Sequence, residues 1–301
     1  MIDDGALAAL RVRLGRALAP ARGRYRPLWV ERAAAGWLDE ARAARLAAIA
    51  DVFDVRDDGI SFDAGINTAS ARSDALARVA RALAADGLLT AWRDERYAVA
   101  PEFHAPPWFE LERAAARFFG VRTYAVHING LVRHDRDVAM WIARRSPDKA
   151  IDPDMLDNLV GGGIAVGQSV ASTAVKEAWE EAGIAASVAA RAQPAGAVHL
   201  CRAQSDGLQR ETIFVHDLWL PADFVPAGQD GEVVEHRLVS LREVGALIAS
   251  DDGPDLVTAD AALVMLDCLL RHGAIEPDAP DYGALEALRH PPDSLPSSPA
   301  A

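Results

Sequence analysis

Apolar residues recur at helical spacing in the first part of the chain and alternate like strands in shorter pieces between. The helical pattern predicts three helices, over residues 6–19, 38–49 and 73–89. Pro20 stops the first of them and Gly87 lies near the end of the third. Residues 28–30 and 92–99 are predicted to be strands. We therefore expect residues 1–118 to form a mixed α/β accessory domain without a catalytic constellation.

The pattern changes near Gly120. Alternating stretches predict strands over 121–132 and 138–144, joined by a polar turn at 134–137, and further strands over 197–202, 212–220 and 233–238. A glycine-rich turn, 161–167, leads into a helix over 172–182 that Gly183 ends, and 261–271 is an apolar helix. These elements predict an α/β sandwich with a mixed sheet over residues 119–276. Proline, serine and alanine dominate 277–301, which we expect to be a partly disordered tail.

Composition narrows the function class. The 301 residues are 50% hydrophobic and 25% charged, as in ordinary soluble proteins, and the net charge is −13. Such a chain has no evident basic face for nucleic acid or an anionic membrane. A phosphorylated ligand would need local help, most simply from a divalent metal ion. The acidic start, two cysteines and lack of a long apolar run predict a reduced, cytoplasmic protein.

Three carboxylates share one face of the helix over 172–182. Glu177, Glu180 and Glu181 stand at i, i+3 and i+4, where like charges repel by a few tenths of a kcal/mol per pair. A divalent cation would relieve that repulsion, and Mg²⁺ suits carboxylates combined with substrate phosphates. The alternative is a solvated acidic face.

The glycine turn and this helix together resemble the Nudix box. Gly162 takes the position of the box glycine, Lys176 the arginine position, and Gly183-Ile184 the closing pair. The resemblance implies a Nudix α/β/α sandwich in which Glu177, Glu180 and Glu181 bind the catalytic metal, Mg²⁺ with Mn²⁺ as a substitute. It also makes Lys176 part of the catalytic set and places Gly162 and Gly163 at the substrate. Gln168 departs from the box, which has its first glutamate there.

The flanking segments are similar to one Nudix branch, found in plants, fungi and bacteria, that carries an N-terminal extension domain. They are 124–130, 140–146, 155–162 and 269–273. The resemblance implies hydrolysis of thiamine diphosphate, or of its oxidised or damaged analogues, to the monophosphate and phosphate. Two alternatives stay open: a Nudix hydrolase of ADP-ribose or another nucleoside diphosphate derivative, and a non-catalytic Nudix module that only binds its ligand. The sequence leaves the oligomeric state open.

Other charged residues are candidates for the same site. The acidic loop Asp230, Glu232 and Glu235 could supply a general base, and we favour Glu232 over Glu235. Arg144 and Arg145 could meet a phosphate, or be surface arginines. Residues 162–169 also approach a P-loop pattern, but Gln168 stands where that loop needs a lysine. The only lysines are Lys149 and Lys176.

Overall fold

The computed structural model describes residues 2–19, 23–134 and 137–291. Its first part contains α1 (Asp4–Ala17), β1 (Tyr25–Val30), β2 (Ala33–Asp39), α2 (Glu40–Ala47), β3 (Phe53–Arg56), β4 (Gly59–Phe62), α3 (Ala69–Ala85), β5 (Arg96–Val99), β6 (Phe109–Glu112), a 3₁₀ turn (Arg113–Ala115) and α4 (Ala116–Phe119). Strands β2-β1-β4-β3 form one sheet, and β5 and β6 form a separate antiparallel pair.

The second part contains β7 (Arg122–His134), β8 (Asp137–Arg145), β9 (Leu156–Asn158), β10 (Val160–Gly163), α5 (Val170–Ala182), α6 (Ala186–Ala189), β11 (Gln193–Gln204), β12 (Gly207–Trp219), β13 (Val233–Ser240), α7 (Leu241–Ala249), α8 (Ala259–Arg271) and α9 (Tyr282–Ala287). The sheet runs β11-β12-β7-β8-β13, with β10 beside β7 and β9 beside β8. Strands β12 and β7 are parallel, while β7 and β8 are antiparallel. The predicted mixed sheet is confirmed.

Helices cover both faces of this sheet, as alternation along β7 requires. Val126, Ile128 and Val132 point to one side and pack with α5 and α6. Ala125 and Leu131 point to the other side and pack with α7 and α8. The α/β/α arrangement inferred from the resemblance is therefore present. Within the described residues, none of the helices is long and apolar enough to cross a membrane.

Helix α1 packs with the second part of the chain. Its apolar face, Leu7, Leu10 and Leu14, is buried in the same cluster as α7 and α8. Arg13 extends the contact by donating hydrogen bonds to two backbone carbonyls, of Ile248 at 3.2 Å and Val257 at 2.6 Å. The accessory domain therefore comprises residues 25–119, whose four-stranded sheet, α2, α3 and the β5–β6 pair share a core of their own.

Several local details differ from the sequence expectations. The glycine-rich segment begins as strand β10, in which Gly161 lies opposite His127 on β7, so the predicted turn is confined to 164–167. Further elements that were not predicted are β2, β3, β4, β6, β9, α4, α6 and α7. In the predicted tail, α9 packs Leu285 into the core at 0% exposure. Residues 292–301, Pro20, and 135–136 of the predicted turn lie outside the described residues.

Candidate active site

The three glutamates lie on helix α5, whose two ends are fixed by residues of its own sequence. Ser169 caps its first turn, in a reciprocal pair of hydrogen bonds with Ser172. Gly183 ends it with φ of 65°, in the left-handed region that favours glycine. Between these ends, helical spacing alone brings Glu177, Glu180 and Glu181 to one face, as the sequence predicted.

Lys176 bridges two of the glutamates. Its Nζ lies 3.0 Å from Oε1 of Glu177 and 2.7 Å from Oε2 of Glu180. Burial opposes the charge of Lys176, but these two hydrogen bonds raise its pKa above the ordinary value. A cation therefore already lies between two carboxylates of the predicted metal-binding set.

Glu181 is the most deeply buried of the three, at 7% exposure. The backbone N–H of Gly161 donates to its Oε2 at 2.8 Å. Burial, reinforced by the charge of Asp157, raises the pKa of Glu181 well above its ordinary value. Burial also raises the pKa of Glu177, although the hydrogen bond from Lys176 acts against it. Both carboxylates would gain from a further positive charge.

The box glycines are required by close approach to other groups. A Cβ on Gly162 would lie 2.4 Å from Cδ of Glu177, and one on Gly163 would lie 2.1 Å from the hydroxyl oxygen of Tyr97. The first glycine lets β10 pass directly under the helix glutamates. The second lets the accessory domain close against the same strand, so a side chain at either position would have to displace Glu177 or Tyr97.

A cavity of about 500 Å³ opens beside these groups. Its lining combines the box, the acidic loop and part of the accessory domain, and acidic side chains outnumber basic ones. Of the predicted site residues, the cavity brings together Gly162, Gly163, Arg145, Lys176, Glu177, Glu180, Glu181 and Glu232.

Glu232 enters this cavity held by two cations. Lys149 is hydrogen-bonded to Oε2 of Glu232, and Nη1 of Arg93 lies 3.4 Å from Oε1. Burial alone would raise the pKa of Glu232, but Lys149 and Arg93 together hold it below its ordinary value. Glu232 is therefore an anion at neutral pH, able to accept a proton. Both lysines of the chain thus lie in one cavity, each paired with candidate glutamates.

The adjacent residues Arg145 and Arg144 differ in whether they reach the cavity. Arg145 lines the cavity and its Nη1 lies 2.8 Å from Oδ2 of Asp157. Arg144 does not line it; its guanidinium is hydrogen-bonded to Asp255 and, at 2.9 Å, to Glu235. Successive residues of a strand point to opposite faces, so the two neighbours could not both reach one site. The structure therefore does not support the predicted phosphate role of Arg144, nor Glu235 as a second base.

The accessory domain supplies a wall that the sequence did not reveal. Tyr97 on β5 lies over Gly163, and the backbone N–H of Val166 donates to the carbonyl of Arg96 at 2.8 Å. Arg113 lines the cavity with its Nη1 2.7 Å from Oε2 of Glu95. Their place in the site depends on how β5 packs against the box, which no local pattern encodes. The sequence left open whether this domain shapes the pocket, and the structure places part of it in the cavity lining.

The carboxylates fit a divalent metal ion. Glu177, Glu180 and Glu181 offer hard oxygen donors, and the raised pKa of two of them shows charge that the protein alone leaves poorly compensated. Gln168 takes no part, since its Oε1 accepts from the Ser172 hydroxyl at 2.9 Å outside the cavity. Elsewhere, Asp217, Cys268 and His272 come close together, but Asp217 already accepts hydrogen bonds from Arg271 and His272.

Comparison with known proteins agrees with this geometry. The model of the NUDIX domain matches residues 122–260, and that of a domain of unknown function, DUF4743, matches 11–123. Nudix hydrolase 20, chloroplastic, of Arabidopsis thaliana is 36% identical over 269 residues, which cover 86% of this chain and 71% of the relative. The chain belongs to the Nudix hydrolase family.

Further relatives extend the similarity. Nudix hydrolase 24, chloroplastic, of the same plant is 36% identical over 262 residues, covering 86% of this chain and 71% of its own. A yeast protein described as uncharacterized, YJR142W, is 36% identical over 215 residues, covering 66% of this chain and 61% of its own. Among solved structures, DR0079 of Deinococcus radiodurans matches 58% of this chain and 99% of its own, with 20% identity and a TM-score of 0.44. Membership makes the chain a hydrolase of phosphoric anhydrides and sets the P-loop alternative aside.

Proposed function

We propose that this Nudix hydrolase cleaves thiamine diphosphate, or its oxidised or damaged analogues, to the monophosphate and phosphate with Mg²⁺, for which Mn²⁺ can substitute. The observation that carries the diphosphatase chemistry is the glutamate face of α5 packed on Gly161–Gly162 inside one cavity. The excess of carboxylates in the lining supports a substrate whose organic part is cationic, as the thiazolium ring of thiamine diphosphate is, but lends no support to oxothiamine diphosphate, whose oxidised ring is neutral. The resemblance of the box and its flanking segments supports the same choice.

The metal would be held by Glu177, Glu180 and Glu181. When bound, a divalent ion supplies positive charge to the phosphate oxygens and lowers the pKa of a water molecule. The protein's part is to fix Glu181 in position through the Gly161 N–H, a hydrogen bond that favours the ionised carboxylate against the effect of burial. Lys176 steadies Glu177 and Glu180 on the same face.

The remaining charged groups have two roles, which are to bind the phosphates and to accept the proton of the attacking water. Arg145, Lys149 and Arg113 line the cavity and can attract the phosphate oxygens. Glu232 accepts a proton from the attacking water, whose oxygen bonds to phosphorus as the bridging P–O bond breaks. The electron pair of that bond leaves with the bridging oxygen on the departing phosphate group.

The test is phosphate release from thiamine diphosphate, oxothiamine diphosphate, ADP-ribose and NADH, each with Mg²⁺ and with chelator. A phosphatase is added to the last two because they yield phosphomonoesters. We expect turnover of the thiamine compounds that the chelator abolishes. Turnover of ADP-ribose or NADH instead would keep the diphosphatase chemistry and overturn the thiamine assignment. Binding without turnover on all four would favour a ligand-binding module.

A further inference from the structure

A continuous chain of buried polar side chains leads away from the cavity, between the sheet and α8. Nδ1 of His127 lies 2.8 Å from Oδ1 of Asn158, whose Nδ2 donates to Oδ1 of Asn129 at 3.1 Å. Nδ2 of Asn129 donates in turn to Oδ1 of Asp217 at 3.0 Å. All four residues are buried, with exposures between 0% and 7%. A buried chain of this kind lowers stability unless every donor and acceptor in it has a hydrogen-bond partner. The direction of the chain, which is the order of donors and acceptors along it, therefore has a physical cause.

Asp217 sets that direction. Its carboxylate accepts from Nη1 and Nη2 of Arg271, at 2.6 and 3.0 Å, and faces Nε2 of His272 at 2.9 Å. Burial opposes its charge, but the hydrogen bonds from His272, Arg271 and Asn129 hold the pKa of Asp217 well below its ordinary value. An ionised carboxylate can only accept hydrogen bonds. Asn129 must therefore turn its NH₂ group toward Asp217.

The same constraint passes along the chain to His127. With its NH₂ committed to Asp217, Asn129 can offer only its oxygen to Asn158. Asn158 must then donate to Asn129 and present its own oxygen to His127. The Nδ1 of His127 therefore carries the proton. In the neutral ring the other nitrogen, Nε2, is left as a hydrogen-bond acceptor.

The imidazole ring of His127 lies at the cavity. His127 is part of the lining, and its ring packs directly on Gly161, where a Cβ would lie 3.0 Å from Nε2. Alternation along β7 places Ala125 and Thr123 on the same face, and both also line the cavity. This face continues the site away from the glutamates of α5. A diphosphate without protons has no donor to offer Nε2, so the acceptor suits the organic part of the substrate.

We propose that Nε2 of His127 binds an N–H or O–H donor on the organic group of the substrate, and that Asn158, Asn129 and Asp217 are positioning residues that fix its tautomer. This inference rests on the proposed function, because it assumes that the diphosphate lies at the α5 glutamates. The amino group on the pyrimidine ring of thiamine diphosphate is a donor of this kind.

Two substitutions of His127 separate the cavity acceptor from the buried bond. His127→Asn keeps a donor for Asn158 and removes the acceptor at the Nε2 position. His127→Gln reaches further and can return an oxygen to that position. We expect His127→Asn to weaken binding of thiamine diphosphate about tenfold, the effect of one lost hydrogen bond, and His127→Gln to recover part of it. His199→Asn is the matched control, because His199 pairs with Thr212 outside the cavity and should leave binding unchanged.

Binding is measured by calorimetry with Mg²⁺ in a Glu181→Gln background, so that hydrolysis does not intervene. Inorganic pyrophosphate, which has no organic group, should bind all variants equally. Equal binding of thiamine diphosphate by His127→Asn and its parent would overturn the proposal, as would an equal loss of pyrophosphate binding. If the substrate panel selects ADP-ribose, that compound takes the place of thiamine diphosphate here. The panel thus decides the proposed function, and these variants decide the role of His127.

Nitrogen-15 NMR of the imidazole ring tests the tautomer without any substrate. We expect the neutral ring of His127 to carry its proton on Nδ1, and Asn158→Leu, which removes the acceptor, to populate the Nε2–H form. A proton on Nε2 in the unmodified protein would overturn the proposal. The fixed Nδ1–H form in the parent, lost in Asn158→Leu, would support it.

Discussion

Two buried carboxylates in this molecule are held in opposite ways. Glu181 and Asp217 are each 7% exposed. Asp217 accepts hydrogen bonds from Arg271 and Asn129 and contacts His272, and its pKa is well below the ordinary value. Glu181 accepts from the Gly161 backbone, lies near the charge of Asp157, and has a strongly raised pKa.

The difference distinguishes a buried charge that serves the fold from one that can bind a ligand. A buried ion whose partners are supplied by the fold stabilises one conformation and has nothing further to bind. A buried carboxylate that the fold leaves under-compensated is unfavourable by itself, and it becomes favourable when a cation arrives from outside. By this criterion the candidate metal site is the cavity and not the cluster around Asp217.

The largest expected effect is the loss of turnover when the negative charge of Glu181 is removed from the cavity. Glu181→Gln should lower turnover by about a thousandfold or more, because it removes a carboxylate from the metal-binding set without changing its shape. Steady-state kinetics with saturating Mg²⁺ provide the measurement. Glu102→Gln, at an exposed glutamate outside the cavity, is the control and should keep full activity. Retained activity in Glu181→Gln would overturn the mechanism.

Removing the charge at the other carboxylate should affect stability. Asp217→Asn should lower the free energy of unfolding at pH 7 by about 2 kcal/mol, since Arg271 keeps only one of its two buried carboxylate partners, Asp267. Because the folded-state pKa of Asp217 is depressed, its stabilisation is present above the ordinary pKa of 3.8 and is lost as pH falls further. Denaturant titrations from pH 7 to pH 2 should show this acid loss in the parent, but reduced in Asp217→Asn. A parallel pH dependence in both proteins would contradict the assignment.

When metal is absent, the carboxylate of Glu181 in the cavity should have the opposite effect on the free energy of unfolding. Since the pKa of Glu181 is raised in the folded state, its ionisation above the ordinary value of 4.5 destabilises the fold. In chelator at pH 7, Glu181→Gln should therefore have a higher free energy of unfolding than the parent. The gain should shrink as pH falls through 4.5. Urea unfolding in chelator measures it, and a destabilised variant would refute the comparison.

The smallest effect should come from adding a carboxylate outside the cavity. Gln168→Glu restores the glutamate of the Nudix box, but the side chain at this position contacts Ser172 and does not reach the α5 glutamates. We expect turnover and metal affinity to change less than about twofold, because an exposed charge contributes little at a distance. A large gain in either quantity would show that position 168 acts on the metal site.

The sequence predicted the parts of this site that depend on local periodicity. The helix, the glutamates at i, i+3 and i+4 and the ending at Gly183 all follow from short-range rules, and the structure places them as expected, whereas the cap at Ser169 was not predicted. Glu232, which the sequence analysis favoured over Glu235 as the general base, lines the cavity, and its role as a base stays a proposal.

The features that the sequence missed depend on packing between distant segments. The adjacent Arg144 and Arg145 could be separated only by knowing which face of β8 meets the cavity. Tyr97 and Arg113 reach the site because β5 lies across the box loop, and His127 matters through contacts with Asn158 and Asn129 from other parts of the chain. The tertiary structure, and not any local pattern, determines which of these distant residues contact each other.

The position of α1 has a consequence for how the protein is made. Leu7, Leu10 and Leu14 complete a core whose other walls, α7 and α8, are encoded more than 200 residues later. During synthesis this helix emerges early and has to wait, its apolar side uncovered, until the last helices leave the ribosome. A shortened chain that starts at the Nudix match would lack this helix and leave the apolar surface of α7 and α8 exposed. Expression of the catalytic region alone should therefore favour aggregation, and α1 supplied as a separate peptide should relieve it.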